Sequence, residues 1–224
     1  MTYSSKQNAN DIDNIKKEEL RKLYLLIQKC DKCKPDMDTE KALRDINKTN
    51  YNADVFIISQ TLAKDAVRKS GVNFYKPDGT FGNTGRLLNK FLVMFDRTIE
   101  PSSPKCVYNT EMAQCYPGKN INGKGDRKPT KKEIAYCQQY LIRELEIIKP
   151  KLILLMGKSS RDGFYRYFLN GKECPPFSQH VGNVDYYKDI PVIPIQHASG
   201  SNPRYPQMLK NPSIIKKIKE ILNK

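Results

Sequence analysis

Four short apolar runs, each bounded by polar residues, alternate along this chain with segments of helical periodicity. The runs are "ADVFIIS" (53–59), "CVYNTEMAQC" (106–115), "KLILLMG" (151–157) and "IPVIPIQHAS" (190–199). Their length and β-branched content mark them as strands, buried ones in the first and third cases. Between them, apolar residues recur at helical spacing from Ile15 to Gln28 (Leu20, Leu23, Tyr24, Ile27) and through "GNTGRLLNKFLVMF". "PTKKEIAYCQQYLIRELEIIKP" opens on a capping box, Thr130 with Glu133 three residues on, and stops before Pro150. Further helices are expected from Ser159 and over the basic segment 212–223. This alternation predicts a single α/β domain over 14–224, a three-layer αβα sandwich around a largely parallel four-stranded sheet. Residues 1–13 are polar and aperiodic and are expected to form a disordered tail. Binding residues in such sheets gather in loops at the carboxyl ends of strands, here 59–85, 109–118 and 196–206.

The 224 residues are enough for one domain with a sizeable core. Lys and Arg total 39 against 24 acids, a net charge of +15. That balance favours a polyanionic partner, nucleic acid before an anionic membrane, against the plainer alternative of a solvated basic surface. No apolar run is long enough to span a bilayer and no charged-then-apolar leader opens the chain. A soluble, cytoplasmic, monomeric protein with no membrane partner is the expectation.

In such a setting the six cysteines point to metal or redox chemistry before disulfides. Only Cys30 and Cys33, in "KCDKCKPD", form a C-x-x-C pair. The pair suits a metal, an iron–sulfur cluster or a redox couple. It follows a helix and no strand precedes it, which disfavours a thioredoxin-like site.

Five segments, taken in order, resemble the uracil-DNA glycosylase superfamily, in particular its iron–sulfur-containing family 4 branch. "VFIISQTLAKD" stands at the branch's strand and "GEAPG" loop, and "SGVNFY" with "GNTGRLLNKFL" at its "G-x-P-F" and "G-x-x-G-x-L-L" signature. "VYNTEMAQCYPG" is similar to "VYITNVVKCRPP", and "PIQHASG" falls on the "HPA" loop. The longest and most specific match is "RKPTKKEIAYCQQYLIRELEIIKPKLILLMGKSS". The resemblance covers about residues 20 to 205 and implies a DNA glycosylase that flips a base out of DNA and hydrolyses its N-glycosidic bond.

By this resemblance Cys30, Cys33, Cys115 and Cys137 would ligate a 4Fe–4S cluster, with a zinc site as the alternative. An extra "GKNINGKG" lengthens the loop between the last two. Cys106 and Cys174 are left as ordinary thiols. His197 falls on the motif histidine, which would donate to the base O2 as the bond breaks. His180 has no such match and is expected at the surface. Phe74 falls on the stacking phenylalanine, with Phe81 and Tyr75 as rivals. Lys119, Lys124 and Arg204 are candidates for phosphate contacts, and Tyr205 or Pro203 for a wedge into the stack.

Two departures bear on the substrate. Ser59-Gln60-Thr61-Leu62-Ala63 replaces the family's Gly- and Pro-shaped loop, so Gln60 stands where an acid would orient water. Gln60 is kept with His197 as a candidate catalytic residue and Thr61 as a candidate base contact, but the family's water-handling does not carry over to Gln60. Glu111 replaces the asparagine that reads uracil. A carboxylate accepts where an amide both donates and accepts, which favours the N4 amino group of cytosine over uracil O4. Sparing the host genome then demands a modified cytosine, hydroxymethylated or glucosylated as in some phage DNA, and an anti-phage role. The alternatives are an ordinary uracil-DNA glycosylase of base-excision repair and a non-catalytic DNA-binding relative. The plainer alternative for Glu111 is an ion pair with a neighbouring Lys or Arg.

Overall fold

The structure, a computed structural model, describes residues 3–33, 38–41, 44–62, 70–123 and 125–224. All four expected strands form one parallel array: β2 (Val55–Thr61), β3 (Tyr108–Ala113), β5 (Leu152–Met156) and β7 (Ile190–Ile195). The sheet has a fifth strand that the sequence reading missed, β6 (Asp185–Tyr187), antiparallel to β7 at the edge. Its turn, Lys188-Asp189, carries no glycine or asparagine, yet Lys188 adopts φ 54°. That is why the usual hairpin signal was lacking. The order is β3-β2-β5-β7-β6. A separate two-stranded sheet joins β1 (Asp38–Lys41) to β4 (Cys115–Tyr116).

Strict alternation along the buried strands makes the three layers. Val55, Ile57, Leu152, Leu154 and Ile193 face one core, which is completed by α2 (Asn83–Leu92), α6 (Tyr205–Leu209) and α7 (Pro212–Leu222). Phe56, Ile58, Ile153, Leu155 and Val192 face the other, under α1 (Tyr3–Lys29), α3 (Lys131–Ile148) and α4 (Lys158–Phe168). The capping box on α3 is present as expected: Glu133 N–H donates to Thr130 Oγ1, and Glu133 accepts from the Thr130 N–H.

The helix α1 runs from Tyr3 to Lys29 and so extends through most of the segment expected as a tail. Once Leu20, Leu23, Tyr24 and Ile27 are packed, each further residue adds a hydrogen bond without a new nucleation cost. Asn52 also anchors the extension, donating to Asp13 (2.7 Å) and accepting from Lys16 (2.9 Å).

The chain runs from β2 to β3 on one side and from β3 back across to β5 on the other. The strand order therefore reverses between β2 and β5, and a crevice opens beyond their carboxyl ends.

Gly182 shows how tightly α7 closes its layer. It has φ +82°, and an added Cβ would lie 2.5 Å from Ile214 Cγ1. Gly182→Ala should combine left-handed strain with overpacking, about 2–4 kcal/mol together. Thermal denaturation should show Tm lowered by roughly 5 °C or more.

Candidate active site

A cleft of about 980 Å³ opens at the reversal point. Its walls come from all three loops singled out in the sequence. Ser59 to Leu62 line it from the end of β2, Asn73 and Phe74 from the following loop, Glu111 from β3 and His197 from the end of β7. Gln60 and Thr61 therefore stand beside His197 and Glu111, although residues 63–69 lie outside the described residues.

His197 is shaped by its neighbours. Gly157, just after β5, has φ +91°, and a Cβ there would approach His197 Cβ at 3.3 Å. Only glycine combines that backbone with room for the ring. Asn202 holds the loop by donating to the His197 carbonyl (3.0 Å) and to Gln196 Oε1 (3.2 Å). The ring opens onto the cleft, yet the surrounding protein desolvates it and lowers its pKa below the ordinary histidine value.

Phe74 is held at φ 68°, an unusual conformation for an aromatic residue. Its carbonyl accepts from the Gly82 N–H (2.8 Å), and a Cβ on Gly85 would lie 2.5 Å from that carbonyl. The glycines of "GNTG" thus let the start of α2 press against Phe74. The rival aromatics, Tyr75 and Phe81, pack edge to face on each other with centroids 4.9 Å apart.

Glu111 combines the two alternatives weighed for it. It lines the cleft but is only 2% exposed, and its Oε2 accepts from Arg44 Nη2. Its Oε1 accepts from Asn73 Nδ2. Arg44 lies along the open edge of β3 and reaches both faces of that strand. It donates to Asn109 O (3.1 Å), Thr110 Oγ1 (3.2 Å), Gln114 Oε1 (3.0 Å) and Glu144 Oε1 (2.9 Å). Burial pushes both carboxyls, Glu111 and Glu144, above the ordinary range despite the pull of Arg44. Burial opposes the charge on Arg44 as well, but the two carboxylates more than offset it.

Asn73 and Arg44 escaped the sequence reading. Asn73 stands beside Phe74 inside "SGVNFY", where the resemblance has proline, and that polar replacement was an available signal. Arg44 lies in a segment without periodicity, and nothing in the sequence marks it.

Other expectations fare unequally. Arg204 and Pro203 are exposed, but Tyr205 is 1% exposed and donates its hydroxyl to Leu87 O (2.7 Å). Tyr205 is a core residue and cannot serve as a wedge, because α6 turns its ring inward under α2. Lys119 is exposed and paired with Asp126 (2.8 Å), a residue of the cleft rim, while Lys124 lies outside the described residues. His180, at the end of the short helix α5 (Phe177–His180), is buried instead of superficial, enclosed by Arg161 Nη1 (3.1 Å), Asp185 Oδ2 (3.1 Å) and the Tyr165 hydroxyl (3.3 Å). These partners satisfy its ring nitrogens and make burial tolerable.

Cys30, Cys33, Cys115 and Cys137 line one small cavity where the end of α1, β4 and α3 converge. Among the described residues no group of three or more His, Cys, Asp or Glu side chains is arranged to hold a single metal ion. A cluster is larger than an ion, and an all-cysteine set around one cavity is the donor chemistry it takes. Burial pushes the Cys137 thiol up to about 12, so ionisation there would need a bound metal.

The chain has two histidines, so both can be followed by NMR titration. The resonance that disappears in His197→Ala should titrate below pH 6.5. A folded-state pKa below the unfolded one means that this group's stabilising contribution is intact above about pH 6.5 and lost as pH falls. A His197 midpoint above 6.5 would contradict the desolvated setting.

Comparison with known proteins finds relatives along most of the chain. The Archaeoglobus fulgidus Type-4 uracil-DNA glycosylase is 27% identical over 212 residues, 92% of this chain and 95% of that protein. A Saccharolobus solfataricus protein of the same name is 26% identical over 204 residues, covering 88% and 83%. Residues 46–223 match the profile of the uracil DNA glycosylase superfamily, and the chain belongs to that superfamily.

Proposed function

We propose that this protein hydrolyses the N-glycosidic bond of a pyrimidine nucleotide flipped out of DNA, with uracil the base its cleft suits best. The observation that carries this reading is the convergence of Phe74, Asn73 and His197 on one cleft at the reversal point of the sheet. Phe74 supplies a stacking face for a base removed from the helix. The bond from C1′ to the base breaks with its electron pair leaving on the base, and a neutral His197 N–H donates to the developing O2 anion. Water adds its oxygen to C1′, and the proton it loses passes to solvent. The bound phosphates and the departing anion stabilise the cationic sugar. An amide can pair with the edge of uracil, donating to O4 and accepting from N3–H, and it is the relatives' names that point to that base.

A second reading keeps the modified cytosine and the anti-phage role. The Glu111 carboxylate does line the cleft, and about 980 Å³ leaves room for a C5 substituent. Against it, both Glu111 oxygens already receive N–H donors. Arg204, Pro203 and Lys119 remain the proposed contacts to the DNA backbone and to the space left by the flipped nucleotide.

The four cysteines would hold a 4Fe–4S cluster whose contribution is a rigid cross-link between α1, β4 and α3. The purified protein should be brown, absorb broadly near ~400 nm and contain about four irons per chain. Colourless protein with stoichiometric zinc would refute the cluster.

The function is tested with duplexes carrying uracil, cytosine, 5-hydroxymethylcytosine or its glucosylated form, scored for abasic sites by alkaline cleavage. Uracil should be excised, and His197→Ala should slow excision by about 10²–10³-fold while leaving DNA binding nearly intact. Preference for a modified cytosine would favour the second reading, and no excision from any duplex would refute both.

A further inference from the structure

We propose that Asn73 is the residue that reads the base, and that Glu111, fixed by Arg44, is a positioning residue that locks the Asn73 amide in one orientation. The inference rests on the glycosylase reading above and adds the source of its base discrimination.

The two ends of an asparagine amide are nearly identical in shape and opposite in chemistry. Uracil presents an acceptor at O4 beside a donor at N3–H, while cytosine presents a donor at N4 beside an acceptor at N3. An amide free to rotate by half a turn about its last bond matches either edge. An amide held in one orientation matches only one.

The structure supplies the hold. Nδ2 of Asn73 donates to Glu111 Oε1, and a carboxylate can only accept, so the nitrogen end must face Glu111. Glu111 cannot swing away, because its other oxygen receives Arg44. Arg44 is anchored in turn to Asn109 O, Thr110, Gln114 and Glu144. The backbones carrying the two ends of this chain are joined as well, the Asp45 N–H donating to Gly71 O at 3.0 Å. What remains to Asn73 in the cleft is its second N–H and Oδ1, and among the described residues no donor reaches that oxygen.

The test measures binding separately from chemistry. Duplexes carrying one 2′-fluoroarabino-uridine or one 2′-fluoroarabino-cytidine resist hydrolysis, and their affinities are compared with that of the unmodified duplex. Wild-type protein should prefer one over the other by roughly 10- to 100-fold, the scale of a bidentate contact. Asn73→Ala should abolish the preference while keeping affinity for unmodified DNA. Glu111→Gln can offer Asn73 either a donor or an acceptor, so the amide is released and the ratio should fall toward one. A merely structural role for Glu111 would lower both affinities together and leave the ratio alone.

Lack of preference in the wild type, or an undiminished ratio in Asn73→Ala, overturns the proposal. So does an undiminished ratio in folded Glu111→Gln. Should Glu111→Gln fail to fold, Asn73→Ala decides between the outcomes, since it leaves the ion pair with Arg44 in place. Preferential binding that needs Asn73, without excision of any natural base, would uphold the inference and refute the glycosylase reading. Brisk excision of one base with an unchanged rate and ratio in Asn73→Ala would do the reverse.

Discussion

A guanidinium buried between two carboxylates holds together the site side of this fold. Arg44 stops the free edge of β3 by donating to the Asn109 carbonyl, and from that edge it grips residues on both faces of the strand. On one face it meets Glu144 of α3, which also accepts from Tyr108 (2.9 Å) and Thr110 (2.6 Å). On the other it meets Glu111. An open strand edge invites pairing with another chain, and a charged side chain laid along it is a familiar protection. Removing Arg44 would leave two buried carboxylates without their cation, and breaking a buried ion pair in this way typically costs about 3–5 kcal/mol.

The consequence for chemistry is that the deepest polar side chain in the cleft is not free to act alone. Glu111 faces the cleft with its lone pairs directed at Arg44 and Asn73. The polar edge that a base would meet is passed outward, from guanidinium to carboxylate to amide. The opposite wall follows the same logic with different means. There Gly157 clears space behind His197, Asn202 fixes its loop, and desolvation favours the neutral ring. Both walls rest on elements packed into the two cores of the sandwich, so the groups are carried on rigid supports at the strand ends.

Much of the architecture was legible in the residues. Strands β2 and β5 are buried on both faces and read as uninterrupted apolar runs. The helix α3 announced itself through Thr130 and Glu133. His197, Phe74, Gln60, Thr61 and Glu111 were each placed by motif and do share one cleft. The four cysteines, scattered in sequence, do line one cavity. The errors have physical causes. Tyr205 and His180 were assigned by their chemistry as a wedge and a surface group, and burial decided otherwise for both. The strand β6 was missed because its turn uses Lys188 in a conformation normally left to glycine or asparagine.

The sequence by itself determined the layers, because periodicity of two or of 3.6 settles which face each segment must bury. It also determined which loops would carry function, since parallel strands deliver their carboxyl ends to one side of the sheet. What only the tertiary structure decided is the partner of each polar group. Arg44 and Glu111 are far apart along the chain, in segments that share no pattern, and their contact exists only because β3 lies at the edge of the sheet. The same holds for Asn73, whose amide acquires a direction only from the carboxylate beside it. Local propensity acts along the chain, while a buried charge takes whichever partner the packing brings within reach.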